Sequence, residues 1–300
     1  MSVKMFLPLT LAAAAMTGCA TPEPTQQVSL KTFEPIKQAC GDRDGWSDPA
    51  PPSHVFGNVY MVGTCGITSL LVTTPEGHFL IDGATAEAAA SITDNIRKLG
   101  FDPKDVRYIL ATHEHLDHVG GIAELKRITG AKFVTRSAAV AAMASGLPQS
   151  DDPQHGTHPS FEGVKADMII EDGDVLRIGN QALTMIATSG HSPGGTSWTW
   201  QSCEGKTCRQ IVYADSLNAV SADAYRFTDN PAYVATLRAS IERISSLKEC
   251  DILISPHPFQ SDIFARLAGE APLVDPRGCA TYAGNARERL DARLAKEAAK

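Results

Sequence analysis

Residues 112–121 read THEHLDHVGG, and they follow a largely apolar run at residues 106–111 that is typical of a β-strand. Four side chains that can bind a metal ion fall within six positions of this segment: His113, His115, Asp117 and His118. Imidazoles and carboxylates are poor material for an apolar core, but they are common ligands of zinc. The segment therefore predicts a metal site at the exposed carboxyl end of a strand.

The spacing of these ligands predicts how they divide between two metal ions. Alternate residues of an extended chain point to the same side, so His113 and His115 can bind one ion while Glu114 points away. Asp117 and His118 are adjacent, which suits a turn that directs both at a second ion. The alternative, a polar loop with chance histidines, does not explain four ligands in this order.

The composition is that of a globular protein with room for a large core. The chain has 300 residues, 43% hydrophobic residues and a net charge of −7, which fits one large domain or two fused halves. The mild acidity and the lack of any run of Lys or Arg argue against binding to nucleic acid. Beyond the amino-terminal segment, no apolar stretch is long enough to cross a membrane.

The amino terminus has the features of a secretory signal peptide. Lys4 supplies a positive charge, residues 6–16 are apolar, and small residues follow at positions 18–20. Cleavage before Cys19, as in a bacterial lipobox, would leave that residue lipidated, whereas ordinary cleavage would follow Ala20. We therefore predict a signal peptide at residues 1–20, one folded domain at residues 21–300, and a periplasmic location with a possible lipid anchor at Cys19.

The cysteines support export to an oxidising compartment. Six remain after Cys19, and six thiols allow 15 pairings among which the sequence alone does not choose. Cys203 and Cys208 bracket a four-residue turn between two strand-like runs, so a disulfide there closes only a short loop. The remaining pairs would then be Cys40–Cys65 and Cys250–Cys279. The alternative is a set of buried free thiols, and zinc binding by cysteine is disfavoured because no CxxC pair occurs.

Apolar periodicity predicts strands and helices in both halves of the chain. Strands are predicted at residues 55–62, 67–73, 78–81, 106–111, 132–134, 182–187, 197–201, 209–213 and 251–255. Helices are predicted at residues 86–99, 122–128, 137–144, 231–247 and 287–299. The Gly120-Gly121 pair lets the chain turn sharply into the second of these helices. Two sheets packed face to face, with helices outside, would bury them all.

One long segment interrupts this pattern. Residues 146–163 are rich in Pro, Gly, Asp and Ser, and they contain His155 and His158. Loops of this length are usually functional or disordered, so a lid over the metal site is one interpretation. Neither imidazole lies in a ligand-like frame, and we expect both to be solvated.

Two further histidines complete the candidate metal site. His191 lies in a glycine-rich loop after the run at residues 182–187, and His257 lies between two prolines after the run at residues 251–255. Each therefore follows a predicted strand, as the first four ligands do. Strands that end at one rim would bring all six side chains together.

The His-x-His-x-Asp-His signature, together with His191 and His257, resembles the metallo-β-lactamase superfamily over residues 55–257. The resemblance implies an α/β fold, the four-layer αββα sandwich, with a metal site at one edge. The sequence is most similar to the third subclass of zinc-dependent β-lactamases. Those enzymes place His among the ligands of the second zinc, carry an Asp-Ser-Leu segment like residues 215–217, and have a carboxyl-terminal disulfide like a Cys250–Cys279 bridge.

The resemblance implies two zinc ions as the cofactor and divides the six ligands between them. The first zinc would be bound by His113, His115 and His191. The second zinc would be bound by Asp117, His118 and His257.

The resemblance also implies roles for residues around the metals. Ser216 and Asn218 match positions near the substrate carboxylate. Tyr225 is a weaker candidate near the substrate carbonyl, and we expect it to pack or to be exposed instead. Asp82 would fix a loop beside the metals. Asp215 would stay outside the ligand set, as in the third subclass, or would bridge the ions, as in several two-metal relatives.

The implied activity is hydrolysis of the β-lactam amide bond. Two zinc ions bring four positive charges against the single negative charge of Asp117, so the site should attract an anionic substrate. Zinc lowers the pKa of bound water to about 7, and the resulting hydroxide, oriented by Asp117 as the catalytic residue, would attack the lactam carbonyl. We therefore predict a secreted, monomeric β-lactamase that acts on a small-molecule β-lactam and confers antibiotic resistance.

Two rival functions remain open. One is another di-zinc hydrolase of the same fold, a lactonase or a glyoxalase-like thioesterase, although export and the cysteines disfavour the thioesterase. The other is a non-catalytic periplasmic zinc-binding protein. A complete second ligand set disfavours this last function, because metal storage does not need an open coordination position.

Overall fold

Two mixed β-sheets pack face to face at the centre of this computed structural model, with helices on both outer faces. This is the four-layer α/β sandwich that the sequence predicts. The structure describes residues 1–2 and 34–299. The predicted signal peptide, the lipobox at Cys19 and the domain boundary at residue 21 lie outside the described residues. Within residues 34–299, none of the helices has the length and apolar character that a membrane span requires.

The strands form one sheet of seven and one sheet of five. The seven-stranded sheet contains β1 (Ser53–Phe56), β2 (Val59–Met61), β3 (Leu70–Thr74), β4 (Gly77–Ile81), β5 (Val106–Leu110), β6 (Lys132–Arg136) and β7 (Met168–Ile170). The five-stranded sheet contains β8 (Val175–Ile178), β9 (Gln181–Ala187), β10 (Thr196–Glu204), β11 (Thr207–Tyr213) and β12 (Ile252–Ile254). The first sheet follows chain order, and the second runs β12-β11-β10-β9-β8.

The helices connect these strands and cover the sheets. They are α1 (Ile36–Cys40), α2 (Ala89–Lys98), α3 (Leu116–Val119), α4 (Ile122–Thr129), α5 (Val140–Ser145), α6 (Pro231–Ser245), α7 (Pro258–Ser261), α8 (Ile263–Leu267) and α9 (Gly278–Ala298). The strands from β4 to β7 are parallel, as are β11 and β12. Parallel neighbours end at the same edge of a sheet, and the loops that leave this edge carry the predicted ligands.

Three apolar layers hold the sandwich together. Phe79 and Trp198 lie in the core between the two sheets. Ile92 of α2 packs in the layer outside the first sheet, and Leu237 and Leu290 join α6 and α9 to the second sheet. Each fully buried large apolar side chain contributes about 1.5–3 kcal/mol to folding relative to exposure. The loops that carry the predicted ligands therefore start from strands with buried apolar side chains on both faces.

The strands differ from prediction at two places. The predicted strand at residues 55–62 is a hairpin of β1 and β2, because Gly57 adopts a left-handed φ of 57° that interrupts it. The short strands β7 and β8 were not predicted. Both are edge strands of only three and four residues, at or below the shortest run that predicts a strand.

The helices also differ from prediction. The short helices α1, α7 and α8 were not predicted. A turn was predicted for Asp117 and His118, and the structure forms the single-turn helix α3 there. The last helix was predicted to begin at residue 287, but α9 begins at Gly278. Its first turns are built from small residues and cysteine, which carry little helical signal. The start of α4 at Ile122, directly after the glycine pair, matches the prediction.

The three predicted disulfides are present. They join Cys40 to Cys65, Cys203 to Cys208 and Cys250 to Cys279. The short hairpin bridge spans paired positions of β10 and β11. The alternative of six free thiols is therefore wrong.

Candidate metal centre

The predicted ligands lie at one edge of the sandwich, where strands of both sheets end. Residues 113–118 follow β5, His191 follows β9, and His257 follows β12. Their rings form a continuous cluster, with centroid separations of 4.1 Å between His113 and His118 and 5.0 Å between His118 and His257. The edge therefore collects imidazoles from both halves of the chain.

The first donor cluster contains His113, His115 and His191. One nitrogen of each ring lies within 4.8 Å of the others, and all three residues are buried. His113 and His115 are alternate residues that face the same centre, as their spacing predicts. The three predicted ligands of the first zinc are thus in reach of one ion.

The second donor cluster contains Asp117 and His118 together with His113. The predicted third member, His257, lies beside this cluster, with its Nε2 atom 3.4 Å from Asp117 Oδ2. His118 Nε2 lies 3.1 Å from the same carboxylate oxygen. Asp117 therefore stands between the two imidazoles that the sequence assigns to the second zinc.

Buried carboxylates orient two rings of the first cluster. His113 Nδ1 donates to Asp215 Oδ1 at 2.8 Å, and His115 Nε2 donates to Asp152 Oδ2 at 2.9 Å. Each hydrogen bond fixes the ring and leaves its other nitrogen toward the cluster. Asp215 thus lies behind a ligand and outside both donor clusters, which is the first of the two positions weighed for it.

Backbone carbonyls orient two other rings. His191 Nδ1 donates to the carbonyl of Asn218 at 2.9 Å, and His257 Nδ1 donates to the carbonyl of Gly66 at 3.1 Å. In both rings Nδ1 is therefore the nitrogen that carries the proton, and Nε2 is left as the acceptor or ligand atom. A neutral ring in this tautomer is the form that binds a metal ion.

Burial keeps most of these imidazoles neutral. It lowers the pKa of His113 well below its usual value, that of His191 to about 3, and that of His257 to about 4. Burial alone would raise the pKa of Asp117, but the neighbouring His118 holds it well below its usual range. Burial alone would lower the pKa of His118, but Asp117 raises it to about 10. The carboxylate is therefore anionic and already sits beside a positive charge.

The residues of this centre fit zinc. His113 Nε2 is buried and makes no hydrogen bond within the described part of the chain, and the two buried nitrogens of His118 make only close contacts to Asp117 and Asp82, at 3.1 and 3.4 Å, that lack hydrogen-bond geometry. An unpaired buried polar group costs about 1–3 kcal/mol, so these atoms point to a missing partner. Zinc takes imidazole nitrogen and carboxylate oxygen in groups of three or four. A divalent cation would supply the partner that these nitrogens lack.

Asp82 fixes the loop that carries the signature. Its carboxylate accepts hydrogen bonds from the Thr112 backbone N–H at 2.7 Å, from the Thr112 hydroxyl at 2.8 Å, and from Tyr213 at 2.9 Å. Asp82 itself adopts a left-handed φ of 65°. The loop-fixing role predicted for this residue matches these contacts.

Glu114 ties the two ligand loops of the first cluster together. It points away from the metal-facing side, as predicted, and accepts hydrogen bonds from the Ser192 hydroxyl and the Gly194 N–H, both at 2.7 Å. These residues follow His191 directly. A Cβ atom at Gly194 would lie 2.4 Å from the Glu114 carboxylate, so only glycine leaves room for this contact.

The long loop at residues 146–163 supplies two site residues that sequence analysis missed. Asp152 orients His115, and Gln154 Nε2 lies 3.3 Å from His191 Nε2 and 3.4 Å from His115 Nδ1. Both loop residues are buried. Neither residue stands out from the other polar residues of this loop, because the ring that Asp152 contacts lies 37 positions away in the sequence. The loop covers the first donor cluster.

The loop histidines lie outside both donor clusters. His155 is exposed, as expected. His158 is half-buried instead, and its ring meets Trp46 edge-on at 5.6 Å. The loop is thus anchored to the amino-terminal segment of the domain.

The predicted substrate residues occupy different depths beside the centre. Ser216 is fully buried, and its hydroxyl has no hydrogen-bond partner among residues 34–299. Asn218 is half-buried, and its side-chain oxygen accepts a hydrogen bond from Arg289 Nε at 2.9 Å. Tyr225 packs against Phe227 at 5.1 Å, which is the packing role expected for it. Only Asn218 of the predicted pair reaches the surface.

Comparison with known proteins gives a consistent set of relatives. The family model of the metallo-β-lactamase superfamily matches residues 62–204. The chain is similar to the metallo-β-lactamase MIM-1 from Novosphingobium pentaromativorans, with a TM-score of 0.86 and 50% identity over 88% of this chain and 98% of that one. It is similar to MEM-A1, a subclass B3 metallo-β-lactamase from a soil metagenome library, with a TM-score of 0.81 and 42% identity over 85% and 99%.

Another relative has a lower sequence identity to this chain. The N-acyl homoserine lactonase AttM of Agrobacterium fabrum is 28% identical over 207 residues, which cover 59% of this chain and 74% of that protein. Both β-lactamases and a lactonase therefore stand among the proteins that this chain resembles.

Proposed function

This chain belongs to the metallo-β-lactamase superfamily, and from that membership and its metal centre we propose that it is a zinc-dependent β-lactamase that holds two zinc ions. The observation that carries the proposal is the pair of adjoining donor clusters at one edge of the sandwich, His113-His115-His191 and His113-Asp117-His118. With His257 beside the second cluster, these side chains offer enough donors for two cations.

The two metal positions divide the residues by role. His113, His115 and His191 would hold the first zinc, and Asp117, His118 and His257 would hold the second. Zinc, when bound, activates water near neutral pH and polarises the bond that is attacked. Orienting the water, excluding bulk water and binding the substrate are roles of the side chains of the protein.

Asp117 is the residue we assign to catalysis. Its Oδ2 atom faces both His118 and His257, and its low pKa keeps it anionic. A carboxylate in this position can accept a hydrogen bond from the attacking water and aim its lone pair at the lactam carbonyl. It also adds the negative charge that the surrounding imidazoles lack.

The loop at residues 146–163 would exclude bulk water from this centre. Asp152 and Gln154 are buried against the first donor cluster. A dry site strengthens the attraction between charges at the reacting bond. Asn218, which reaches the surface, would then bind the substrate carboxylate, whereas the predicted contact with Ser216 requires its fully buried hydroxyl to become accessible.

The position of Asp215 favours a β-lactamase over the rival hydrolases of the same fold. A carboxylate that bridged the ions would reduce the positive charge of the site and favour a lactonase or thioesterase. Asp215 instead bonds to the rear nitrogen of His113. A site that keeps its positive charge suits an anionic β-lactam.

We further propose export to the periplasm, with resistance to β-lactam antibiotics as the biological outcome. The three disulfides suit an oxidising compartment. The signal peptide at residues 1–20 and the choice between lipidation at Cys19 and ordinary cleavage remain sequence-based predictions, as does the monomeric state.

The test is metal analysis combined with a substrate panel. Purified zinc-loaded protein is assayed with a cephalosporin, a carbapenem, an acyl homoserine lactone and a glutathione thioester. We expect about two zinc ions per chain and turnover that favours the lactams. His115→Ala should abolish turnover, whereas His155→Ala, an exposed histidine outside both clusters, should not.

Two outcomes would contradict the proposal. Faster turnover of the lactone than of any lactam would place the chain with the lactonases. Tight zinc binding without turnover of any substrate would make it a zinc-binding protein. The unfolding temperatures of the wild-type protein and of both histidine variants are measured alongside. Misfolding is then recognised separately from a change in activity.

A further inference from the structure

One arginine of α9 differs from its neighbours in having no acidic partner. Arg287 pairs with Glu242 at 2.9 Å, and Arg293 pairs with Glu297 at 2.5 Å. Arg289 is exposed, and no carboxylate of the described chain lies within 4.0 Å of its guanidinium. Helix α9 therefore presents one uncompensated positive charge between two neutralised ones.

This arginine is held beside the metal centre by Asn218. Arg289 Nε donates to Asn218 Oδ1 at 2.9 Å, and the carbonyl of Asn218 accepts the hydrogen bond from His191 Nδ1 at 2.9 Å. A single residue thus connects the guanidinium to a ligand of the first donor cluster. The guanidinium is therefore one residue removed from a ligand of the first donor cluster.

The contact also sets the direction of the amide. Because Asn218 Oδ1 accepts from Arg289, the Nδ2 group must point away from the arginine. Neither this Nδ2 group nor the two Nη groups of Arg289 finds an acceptor among residues 34–299. Two neighbouring side chains therefore each keep N–H donors that no group of residues 34–299 accepts.

The segment at residues 215–218 and helix α9 are fixed relative to each other. Tyr282, two turns before Arg289 on α9, donates its hydroxyl to the carbonyl of Asp215 at 3.0 Å. The Cys250–Cys279 disulfide anchors the first turn of the same helix. Ser216, between these contacts, is fully buried. Of Ser216, Asn218 and Arg289, only the last two therefore have side-chain donors that reach the surface.

We propose that Arg289, aimed by Asn218, binds the carboxylate of the substrate and determines the preference for anionic lactams. The inference rests on the proposed β-lactamase function and adds a specificity residue from the carboxyl-terminal helix. A guanidinium presents N–H donors in a planar fork that matches both oxygens of a carboxylate. Arg289 touches no reacting atom, so its contribution lies in binding and not in the chemical step.

The test compares two neighbouring arginines with a charged and an uncharged substrate. Arg289→Met and the control Arg287→Met are assayed with a cephalosporin and with its carboxyl methyl ester. We expect Arg289→Met to raise KM for the free acid about tenfold, which corresponds to about 1.4 kcal/mol of lost binding, with kcat within about twofold of wild type. The ester should be hydrolysed with the same KM by both variants, and Arg289→Lys should recover part of the loss.

The outcomes separate this inference from the function on which it rests. A wild-type enzyme that hydrolyses no lactam refutes the function, and the carboxylate site falls with it. A wild-type enzyme that is active, with Arg289→Met matching Arg287→Met on the acid, refutes the carboxylate site alone. An equal rise of KM for acid and ester would also refute it, because a structural disturbance does not depend on substrate charge.

Discussion

Replacing Asp152 by Asn removes an anionic acceptor from behind His115 while keeping the shape of the side chain. The two residues are buried and joined by a 2.9 Å hydrogen bond. The other carboxylate oxygen of Asp152 accepts from the Gln154 N–H at 2.7 Å. An amide has one acceptor oxygen, so the variant must give up one of these two bonds.

The size of the effect follows from this geometry. Losing the anionic partner of a metal-binding histidine typically weakens metal affinity about 10- to 100-fold, which corresponds to about 1.4–2.7 kcal/mol. Only His115 of the first cluster is oriented by Asp152, since His113 and His191 have their own partners. We therefore expect one zinc of the two to weaken and the other to stay close to its wild-type affinity.

The assay is competition for zinc between the protein and a chromogenic chelator, with Asp151→Asn as the matched control. Asp151 is the exposed neighbour of Asp152 in the same loop, so its replacement changes the net charge equally without touching a ligand. Visible spectra of the cobalt-substituted protein report the same change without reference to turnover. Unchanged affinity of both sites in Asp152→Asn would refute the orienting role of this carboxylate.

Three further results are expected. Asp117→Ala should lower kcat about 100-fold or more while shifting the unfolding temperature by only a few degrees, and near-normal turnover with full zinc content would remove Asp117 from the mechanism. Burial alone would raise the pKa of Glu297, but hydrogen bonds from Thr228 and Arg293 lower it to about 2. Its stabilising effect is therefore complete above the unfolded value of about 4.3 and is lost as the pH falls toward 2. Glu297→Gln should cost about 1 kcal/mol at pH 7 and flatten urea-unfolding stability between pH 5 and 2; an unchanged slope would count against this assignment. Chelation should abolish turnover and lower the unfolding temperature, and adding zinc should restore both. A chelated protein that stays active would show that turnover does not require a metal ion.

The sequence predicts the metal centre well because its ligands obey local rules. Four ligands lie in one short segment, and the other two follow apolar runs that form β9 and β12. Strand ends are visible in a sequence, and strands of such a sandwich end at a shared rim. The layered architecture follows from the same periodicity.

The supporting residues are harder to predict because they act across long separations. Asp152 lies 37 positions from His115, and Arg289 lies 71 positions from Asn218. Nothing in a polar loop or on an exposed helix face indicates which distant ring or amide it will meet. The same reason explains why the brace formed by Glu114 is visible only in three dimensions.

The bridge between Cys250 and Cys279 has a practical consequence for the bench. It links the chain just before β12, which leads to His257, with the first turn of α9, which carries Arg289. Closing a loop of this length stabilises a fold by about 3–4 kcal/mol in chain-entropy models. Dithiothreitol in a purification buffer would cut this tether and capture zinc as well. Preparations made in reductant, or expressed in an ordinary bacterial cytosol, would thus be expected to lose stability and activity although all six predicted ligand side chains are intact.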